Sequence, residues 1–261
     1  MNKQTGVSSK WVKTRIIARS AFLSSHIPTT LRLTPHSLIK LLHQHGMVYV
    51  KPESGSRGVG VMRLDGAKGK WSVRDGMKQH TFTTFGVMFK WLRSRINGKS
   101  YLVQKGIHVL RHAGKPVDFR VMIQKGRKVG WKVTGTVARV AHPLKAVTNG
   151  SQGGSIYASK ALLQRIAGQK RATRILKKFN RLAYSTAHCF GQSYPRINEL
   201  GLDIAVDRKH QCWILEVNTR PDPCPFTKLA DSSMLRTIVK YGRGYGRSYN
   251  LTCNKARKGR I

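Results

Sequence analysis

Residues 199–218 read ELGLDIAVDRKHQCWILEVN. Two apolar runs, 199–206 and 211–218, flank a polar segment, and this pattern predicts an antiparallel β-hairpin. If residues 207–210 form the turn, Asp203 faces Ile214 and Glu199 faces Asn218 across the two strands. Because side chains alternate between the two faces of a sheet, one face of the hairpin then carries four polar side chains. They are Glu199, Asp203, Glu216 and Asn218.

The hairpin concentrates acidic residues in a strongly basic chain. The 261 residues contain 49 Lys+Arg and 10 Asp+Glu, which gives a formal net charge of +39 at pH 7. Four of the 10 acids fall within 18 residues, at positions 199, 203, 207 and 216. Diagonal neighbours on one sheet face lie roughly 7–8 Å apart, and converging carboxylate oxygens suit Mg²⁺. We therefore predict a Mg²⁺ site on the hairpin.

Two alternatives apply to this prediction. A turn one residue longer or shorter moves Asp203 and Glu199 to the opposite face, whereas Glu216 and Asn218 share a face through alternation alone. The hairpin could also carry solvated acids without a ligand. The second strand is mostly apolar, however, and burying unpaired acids is costly, which favours the metal site.

A second candidate site lies at residues 51–60, which read KPESGSRGVG. A strand predicted over 47–51 ends at Lys51 and leads into a glycine-rich turn. Glycines let backbone N–H groups approach phosphate oxygens closely, and the lysine adds a positive charge for the same oxygens. No Gly-Lys-Ser/Thr opens a helix here, so this is not a Walker loop. The alternative is a flexible hairpin turn with a solvent-facing lysine.

The remaining pattern predicts an α+β chain of two lobes, in which strand meanders alternate with covering helices. Helices are expected after the cap residue Thr34, across 87–96, across 162–183 and from Asp231. Further strands are expected at 59–64, 70–74, 101–105, 117–124 and 129–140. The predicted units are a basic arm with one helix (1–46), a small lobe (47–105), a large lobe (106–243) and a flexible basic tail (244–261).

Cysteine spacing and hydropathy set the expected compartment. The four cysteines, at positions 189, 212, 224 and 253, form no C-x-x-C pair, so we expect all of them to be reduced. No stretch approaches the ~18 apolar residues of a membrane span, and the N-terminus lacks the apolar segment of a secretory signal. A cytoplasmic protein without a transmembrane segment is therefore expected.

The net charge predicts an anionic partner. A surface of this charge attracts nucleic acid, acidic peptides, anionic wall polymers or lipid headgroups, and charge alone does not choose among them. Three arginines and an amide, Arg120, Arg139, Arg220 and Asn149, are candidates for binding phosphate or stabilising an acyl phosphate. In a chain with 49 basic residues, any single arginine is more often an ordinary surface residue.

Taken in order, these motifs resemble those of the ATP-grasp enzymes. The matching segments are 48–52 with 55–60, 101–107, 118–120, 148–150 with 153–154, 201–204 and 215–218. In the amino-acid sequence of its motifs the chain most resembles the YheC/YheD family of spore-coat-associated proteins, at 117–121, 131–135, 138–140 and 216–219. Several motifs in one order are harder to obtain by chance than any single motif.

The resemblance implies an ATP-grasp fold, with two α+β lobes enclosing a nucleotide cleft and a shortened N-terminal region, and it implies ATP and Mg²⁺ as cofactors. The implied nucleotide contacts are Lys51, Ser56, Arg57 and Gly58 for the phosphates, and Gln104, Lys105 and Ile107 for the adenine. The implied Mg²⁺ ligands are Asp203, Glu216 and Asn218. The implied catalytic residues are Arg120, Arg139, Asn149 and Arg220.

The sequence departs from this pattern in three places. Only about 46 residues precede the lysine strand, where ligases of this type carry a fuller acceptor-binding domain. Residues 219–222 read TRPD where small residues are common in relatives, and Gln104 stands where many relatives have an acid. These departures bear most on the choice of substrate.

The resulting hypothesis is a spore-associated carboxylate–amine ligase that uses ATP and Mg²⁺, forms an acyl phosphate, and acts on an anionic substrate such as an acidic peptide or poly-acid. The alternative is a non-catalytic coat or polyanion-binding protein of ATP-grasp shape, with nonspecific nucleic-acid binding as a further expectation. A kinase is a third hypothesis, which the absence of a His-Arg-Asp triplet disfavours.

Overall fold

The computed structural model describes residues 7–56, 58–67, 69–126, 129–141, 154–254 and 256–259. Within these ranges the chain is an α+β protein built on two sheets, as the sequence predicts. The helices are α1 (Lys10–Ala18), α2 (Ala21–Ser24), α3 (Pro35–His45), α4 (Phe85–Ile96), α5 (Ser159–Ala167), α6 (Gln169–Ser193) and α7 (Ser233–Gly244), with a 3-10 helix at Cys224–Lys228.

The small lobe is a six-stranded antiparallel sheet within the described residues. Its strands are β1 (Thr30–Arg32), β2 (Met47–Pro52), β3 (Met62–Ala67), β4 (Lys70–Asp75), β5 (Lys78–Phe82) and β6 (Tyr101–Lys105). They lie in the order β1-β6-β2-β3-β4-β5, so that β2 and β6, which carry predicted site residues, are central neighbours. Helices α3 and α4 cover this sheet through a buried cluster that includes Leu38, Leu42 and Met88.

Helix α3 confirms the prediction made from its end residues. The Thr34 side chain accepts a hydrogen bond from Ser37 N, and Pro35 occupies the first helical turn, where a missing N–H is not costly. Gly46 ends the helix in the left-handed region at φ 69°, a conformation that glycine adopts without steric cost. The chain then enters β2 directly at Met47.

The large lobe contains the remaining strands. They are β7 (Arg111–His112), β8 (Lys115–Gly126), β9 (Gly130–Val140), β10 (Ser155–Ala158), β11 (Glu199–Val206), β12 (Cys212–Asn218) and β13 (Arg257–Lys258). Their order is β12-β11-β8-β9-β10-β13, with β7 paired to β8. Helices α5 and α6, separated at Gly168, pack on one face and bury Phe119 against Phe179 with ring centroids 5.0 Å apart.

The described part of the N-terminal arm contains helices α1 and α2 before α3, whereas the sequence predicts one helix there. Ser9 caps α1 and Ser20 caps α2. Helix α1 buries Ile16 and Ile17 in the large-lobe core. Its other buried residues are lysines, so the buried face lacks the apolar repeat from which a helix is recognised in a sequence.

The C-terminal segment packs against the large lobe, which corrects the expectations of a mobile tail and of four reduced cysteines. Cys224 and Cys253 form a disulfide with a Cα–Cα distance of 5.4 Å. Strand β13 extends the large sheet by pairing in parallel with β10. The Cys189 and Cys212 thiols are free.

Among the described helices, none combines the length and the apolar composition that a bilayer crossing requires.

Candidate nucleotide and metal site

A cleft between the two lobes brings most of the predicted site residues together. Predicted residues that line it are Lys51, Ser56, Gly58, Gln104, Lys105, Ile107, Arg139, Asp203 and Glu216. The apolar part of its lining is formed by Tyr49, Val59, Val61, Ile107, Val109, Pro116 and Leu215. A cleft with apolar walls and a group of convergent charges can hold a ligand with a flat apolar part and an anionic part.

Lys51 connects the two lobes across this cleft. Its ammonium Nζ donates to Gln104 Oε1 at 2.9 Å in the small lobe and to the Leu215 carbonyl at 3.2 Å in the large lobe. The side chain is buried, and burial lowers the pKa of Lys51 from 10.5 to about 8. Lys51 is therefore still largely protonated at pH 7, and it offers a positive charge inside a site with little solvent screening.

Gln104 holds Lys51 in place. Its Oε1 accepts from Lys51, and its Nε2 donates to Thr30 Oγ1 at 2.8 Å on the adjacent strand β1. The neighbouring Lys105 has its Nζ 5.0 Å from the centre of the Trp213 ring, within the range of a cation–π contact. The resemblance assigns both residues to adenine, and the structure places both in the lining of the cleft.

The register of the hairpin differs from the prediction, yet Asp203 keeps its predicted face. The connection is one residue longer than predicted, because β11 ends at Val206 and β12 begins at Cys212, and within it Asp207 N donates to the Gln211 carbonyl. A bulge between Asp203 and Ile204 adds a second one-residue shift. Two such shifts restore the alternation, so Asp203 lies directly opposite Glu216, and the predicted pairing of Asp203 with Ile214 is wrong.

Two buried arginines surround Asp203. Arg120 lies opposite Asp203 on β8, and its Nε donates to Asp203 Oδ1 at 2.6 Å. Arg139 donates to both oxygens of Asp118 at 2.7 Å, and its Nη2 lies 3.2 Å from Asp203 Oδ1. Burial by itself raises the pKa of Asp203, but Arg120 and Arg139 together lower it to about 2. Burial by itself lowers the pKa of Arg139, but the carboxylates of Asp118 and Asp203 raise that pKa by more, so Arg139 stays charged.

Glu216 and Asn218 complete the predicted ligand set on the hairpin. The side chain of Glu216 is 26% exposed, and Asn218 is half-buried with its Nδ2 3.4 Å from the Gly201 carbonyl that it faces. Among the described residues, no group of three or more His, Cys, Asp and Glu side chains forms a metal cage. The two carboxylates and one amide fit Mg²⁺ as a partial ligand set, because Mg²⁺ takes one or two carboxylates and completes its shell with phosphate oxygens and waters.

Glu199 lies on the same sheet face as Asp203, as predicted, but four residues away along β11, and its predicted pairing with Asn218 is wrong because Asn218 lies opposite Gly201. Glu199 is buried beneath the C-terminal segment, where its Oε2 accepts hydrogen bonds from Tyr249 at 2.6 Å and Tyr245 at 2.8 Å. Its Oε1 forms an ion pair with Arg247. Glu199 therefore anchors the C-terminal segment.

Arg120 pairs with Asp203, and Asn218 lies two residues after Glu216, but neither is among the described residues that line the cleft, and three further predicted residues are not placed there either. Arg220 is exposed and is not among the described residues that line it. Arg57 and Asn149 lie outside the described residues.

Sequence reasoning missed two lysines of the arm. The side chains of Lys10 and Lys13 are buried next to Glu216, with Nζ–Oε1 distances of 3.9 and 3.7 Å. Their spacing of three residues after the cap residue Ser9 places both on one helix face. In a chain with 49 basic residues this spacing does not stand out.

Known structures and relatives agree with this architecture. N5-carboxyaminoimidazole synthase from Aspergillus clavatus, in complex with ADP and 5-aminoimidazole ribonucleotide, is 12% identical with a TM-score of 0.55, and the match covers 97% of this chain and 54% of that one. Carboxyaminoimidazole ribonucleotide synthase from the same organism, complexed with ATP, is 12% identical with a TM-score of 0.57, covering 97% and 55%. The fold is an ATP-grasp fold, as the sequence resemblance implies.

The comparisons also identify the family within the ATP-grasp fold. A family model described as YheC/D like ATP-grasp matches residues 1–248, and the chain belongs to this family. It is 26% identical over 221 residues to the endospore coat-associated protein YheD of Bacillus subtilis (strain 168), covering 82% of this chain and 48% of the relative. It is 23% identical over 220 residues to YheC of the same strain, covering 83% and 60%. The chain thus spans about half to three-fifths of the length of these relatives.

Proposed function

We propose that this protein is an ATP- and Mg²⁺-dependent ligase that joins a carboxylate to an amine through an acyl phosphate. The anionic substrate is an acidic peptide or poly-acid, consistent with a net charge of +39. The observation that carries the proposal is the direct pairing of Asp203 with Glu216 in a cleft that also contains Lys51. This combination can hold a triphosphate and its cation together.

The residues of the cleft have distinct roles in the proposed reaction. Lys51, with the backbone near Ser56 and Gly58, binds phosphate oxygens of ATP. Bound Mg²⁺ would neutralise charge on the phosphates, and Asp203, Glu216 and Asn218 would hold it. Arg120 donates to Asp203 Oδ1, and Arg139 Nη2 lies 3.2 Å from the same oxygen, so the carboxylate is held in a fixed orientation.

Arg139 positions the transferred phosphoryl group. A carboxylate oxygen of the substrate attacks the γ-phosphorus, ADP leaves, and the amine then displaces phosphate from the acyl phosphate. Positive charge fixed beside the phosphoryl oxygens lowers the energy of these steps without any proton transfer from protein to substrate. Because Asp118 holds the Arg139 guanidinium with two hydrogen bonds of 2.7 Å, this charge is fixed in place before the substrate binds.

The test is ADP release from MgATP over a panel of acidic peptides and poly-acids, each with and without candidate amines. Hydroxylamine added in place of the amine traps an acyl phosphate as a hydroxamate. We expect ADP release that requires both substrates and a hydroxamate that requires only the carboxylate, with both products lost in Asp203→Asn. ADP release unchanged across the whole panel would contradict the proposal.

The second candidate function is that of a non-catalytic, polyanion-binding protein of the spore coat. Helix α6 favours it, because its solvent face carries an exposed basic row in which no acidic residue is interspersed. The row contains Lys170, Arg171, Arg174, Lys177 and Arg181. The names of YheD and YheC associate those proteins with the endospore coat, and this association is proposed here for the present chain.

A salt titration distinguishes the two functions. Binding to duplex DNA through several lysines and arginines weakens steeply between about 50 and 200 mM salt, because bound counterions are released. A polyanion-binding role predicts tight binding with such a slope and no dependence on MgATP. The ligase proposal predicts turnover that Asp203→Asn abolishes while the salt dependence of DNA binding is unchanged.

A further inference from the structure

Helix α1 connects the two lobes beside the candidate site. Its cap residue Ser9 donates to Glu53 Oε1 at 2.6 Å, and Lys10 N donates to the Glu53 carbonyl at 2.9 Å, both in the small lobe. On the side of the large lobe, Val7 N donates to Thr219 Oγ1 at 3.0 Å, one residue beyond β12. The helix is thus held by both lobes, and its side chains have defined positions next to the predicted metal ligand on β12.

Two lysines of α1 lie at the charged part of the cleft, where Lys10 lines the cleft and Lys13 lies beside it against Glu216. The Lys10 and Lys13 side chains are 7% and 8% exposed, and their Nζ atoms lie 3.9 and 3.7 Å from Glu216 Oε1. Lys10 Nζ also donates to the Gly55 carbonyl at 2.8 Å in the glycine-rich loop, and Lys10 lines the cleft. Its ammonium group therefore lies between the loop proposed to cover phosphates and a residue proposed to hold their cation.

The contacts of the two lysines with Glu216 leave hydrogen-bonding capacity for an anion. Charged hydrogen bonds between nitrogen and oxygen are typically about 2.7–2.9 Å long, shorter than both distances to Glu216. Each ammonium group has three donors.

The charged side chains of the site carry a net positive charge, which favours binding of an anion. Among the described residues of this charged group and the cleft lining, six cations face three carboxylates, a surplus of three positive charges. The cations are Lys10, Lys13, Lys51, Lys105, Arg120 and Arg139, and the carboxylates are Asp118, Asp203 and Glu216. Buried charge without compensation is costly, and MgATP, with about two negative charges, compensates most of it.

We infer that Lys10 and Lys13 bind the terminal phosphates of the nucleotide, as two additional cationic contacts supplied by the N-terminal helix. The inference rests on the proposed function, since it concerns the same nucleotide. It gives the arm a role in ATP recognition that the glycine-rich loop and Lys51 do not fill alone. The competing assignment, a purely structural ion pair with Glu216, predicts a different result in the following experiment.

The experiment compares the affinities of MgATP and AMP by isothermal titration calorimetry. Lys10→Met and Lys13→Met are each expected to weaken MgATP binding by about 10-fold or more, the effect of losing one charged hydrogen bond. AMP lacks the terminal phosphates, so its affinity is expected to change by less than about twofold. Arg15→Met is the matched control, because Arg15 is an exposed cation of the same helix, and it should leave both affinities unchanged.

The outcomes are separable. Thermal unfolding reports whether each variant is folded. If a methionine variant does not fold, Lys10→Gln or Lys13→Gln replaces it in the same comparison. If wild-type protein binds MgATP and the ratio of MgATP to AMP affinity is unaltered in the lysine variants, the lysines are structural and the inference is overturned. If wild-type protein does not bind MgATP, the proposed function itself fails, and the inference fails with it.

Discussion

Glu216→Gln separates metal binding from folding at the candidate site. The Glu216 side chain is 26% exposed, and its lysine contacts at 3.7 and 3.9 Å are longer than charged hydrogen bonds. The Lys10 and Lys13 side chains are only 7% and 8% exposed, so loss of the carboxylate leaves two buried positive charges less compensated and lowers stability by up to about 3 kcal/mol. Glutamine has nearly the same shape, so the variant should still fold, with a lower midpoint of thermal unfolding.

The effect on the cation is measured separately from stability. Glu216 lies directly opposite Asp203, and the substitution removes one of the two carboxylates proposed to bind Mg²⁺. A charged contact contributes about 1.5–3 kcal/mol, which corresponds to roughly a 10- to 100-fold loss in Mg²⁺ affinity. Without Mg²⁺ the effect of the substitution on ATP affinity reverses in sign, because the Glu216 carboxylate repels phosphates. The variant should then bind free ATP at least as tightly as the wild type.

The assay is ATP binding by isothermal titration calorimetry across a series of Mg²⁺ concentrations, with EDTA as the metal-free point. Asp222→Asn is the matched control. Asp222 is an exposed acid in the loop after β12, and asparagine can still accept the hydrogen bond from Cys224 N. An equal Mg²⁺ enhancement of ATP binding in Glu216→Gln and wild type would refute the assignment of Glu216 as a metal ligand.

Three further predictions follow from named contacts. The pKa of Lys51 is about 8, so ATP affinity should fall as the pH rises from about 7 to 9 and Lys51 loses its proton, whereas Lys51→Arg should show no such decline in calorimetric titrations. Glu199→Gln leaves Arg247 without its buried carboxylate and should lower the free energy of unfolding in urea by about 3 kcal/mol or more; an unchanged midpoint would contradict the anchoring role. Cys253→Ser removes a disulfide between residues 29 positions apart and should cost about 3–4 kcal/mol, measured against wild type under oxidising conditions; equal stabilities would mean that the thiols are not joined.

Local signals predicted most of the regular structure. The ends of α3 follow from Thr34, Pro35 and Gly46, which act within one or two turns of the helix. Strand β6 was predicted at its observed bounds from its short apolar pattern, and α6 from the repeat of apolar residues. Local signals do not predict helix α1, because its buried face includes lysines. Their partner Glu216 lies more than 200 residues away in the chain.

The candidate site likewise contains residues that strand alternation predicts and residues whose positions depend on tertiary packing. Glu216 and Asn218 share a face in any register, so strand alternation was sufficient. The place of Asp203 depended on the turn length and the bulge, and two errors of one residue cancelled. The partners of Glu199, in contrast, depended on where the C-terminal segment packs.

The sequence by itself determined which residue types were available and how they alternate along each strand and helix, and it carried enough ordered motifs to indicate the family. Only the tertiary structure decided that Arg139 is held by Asp118, that Cys224 meets Cys253, and that α1 brings two lysines to Glu216. The reason is physical. Periodicity and end residues act over a few positions, whereas these pairings depend on the packing of segments that lie far apart in the chain.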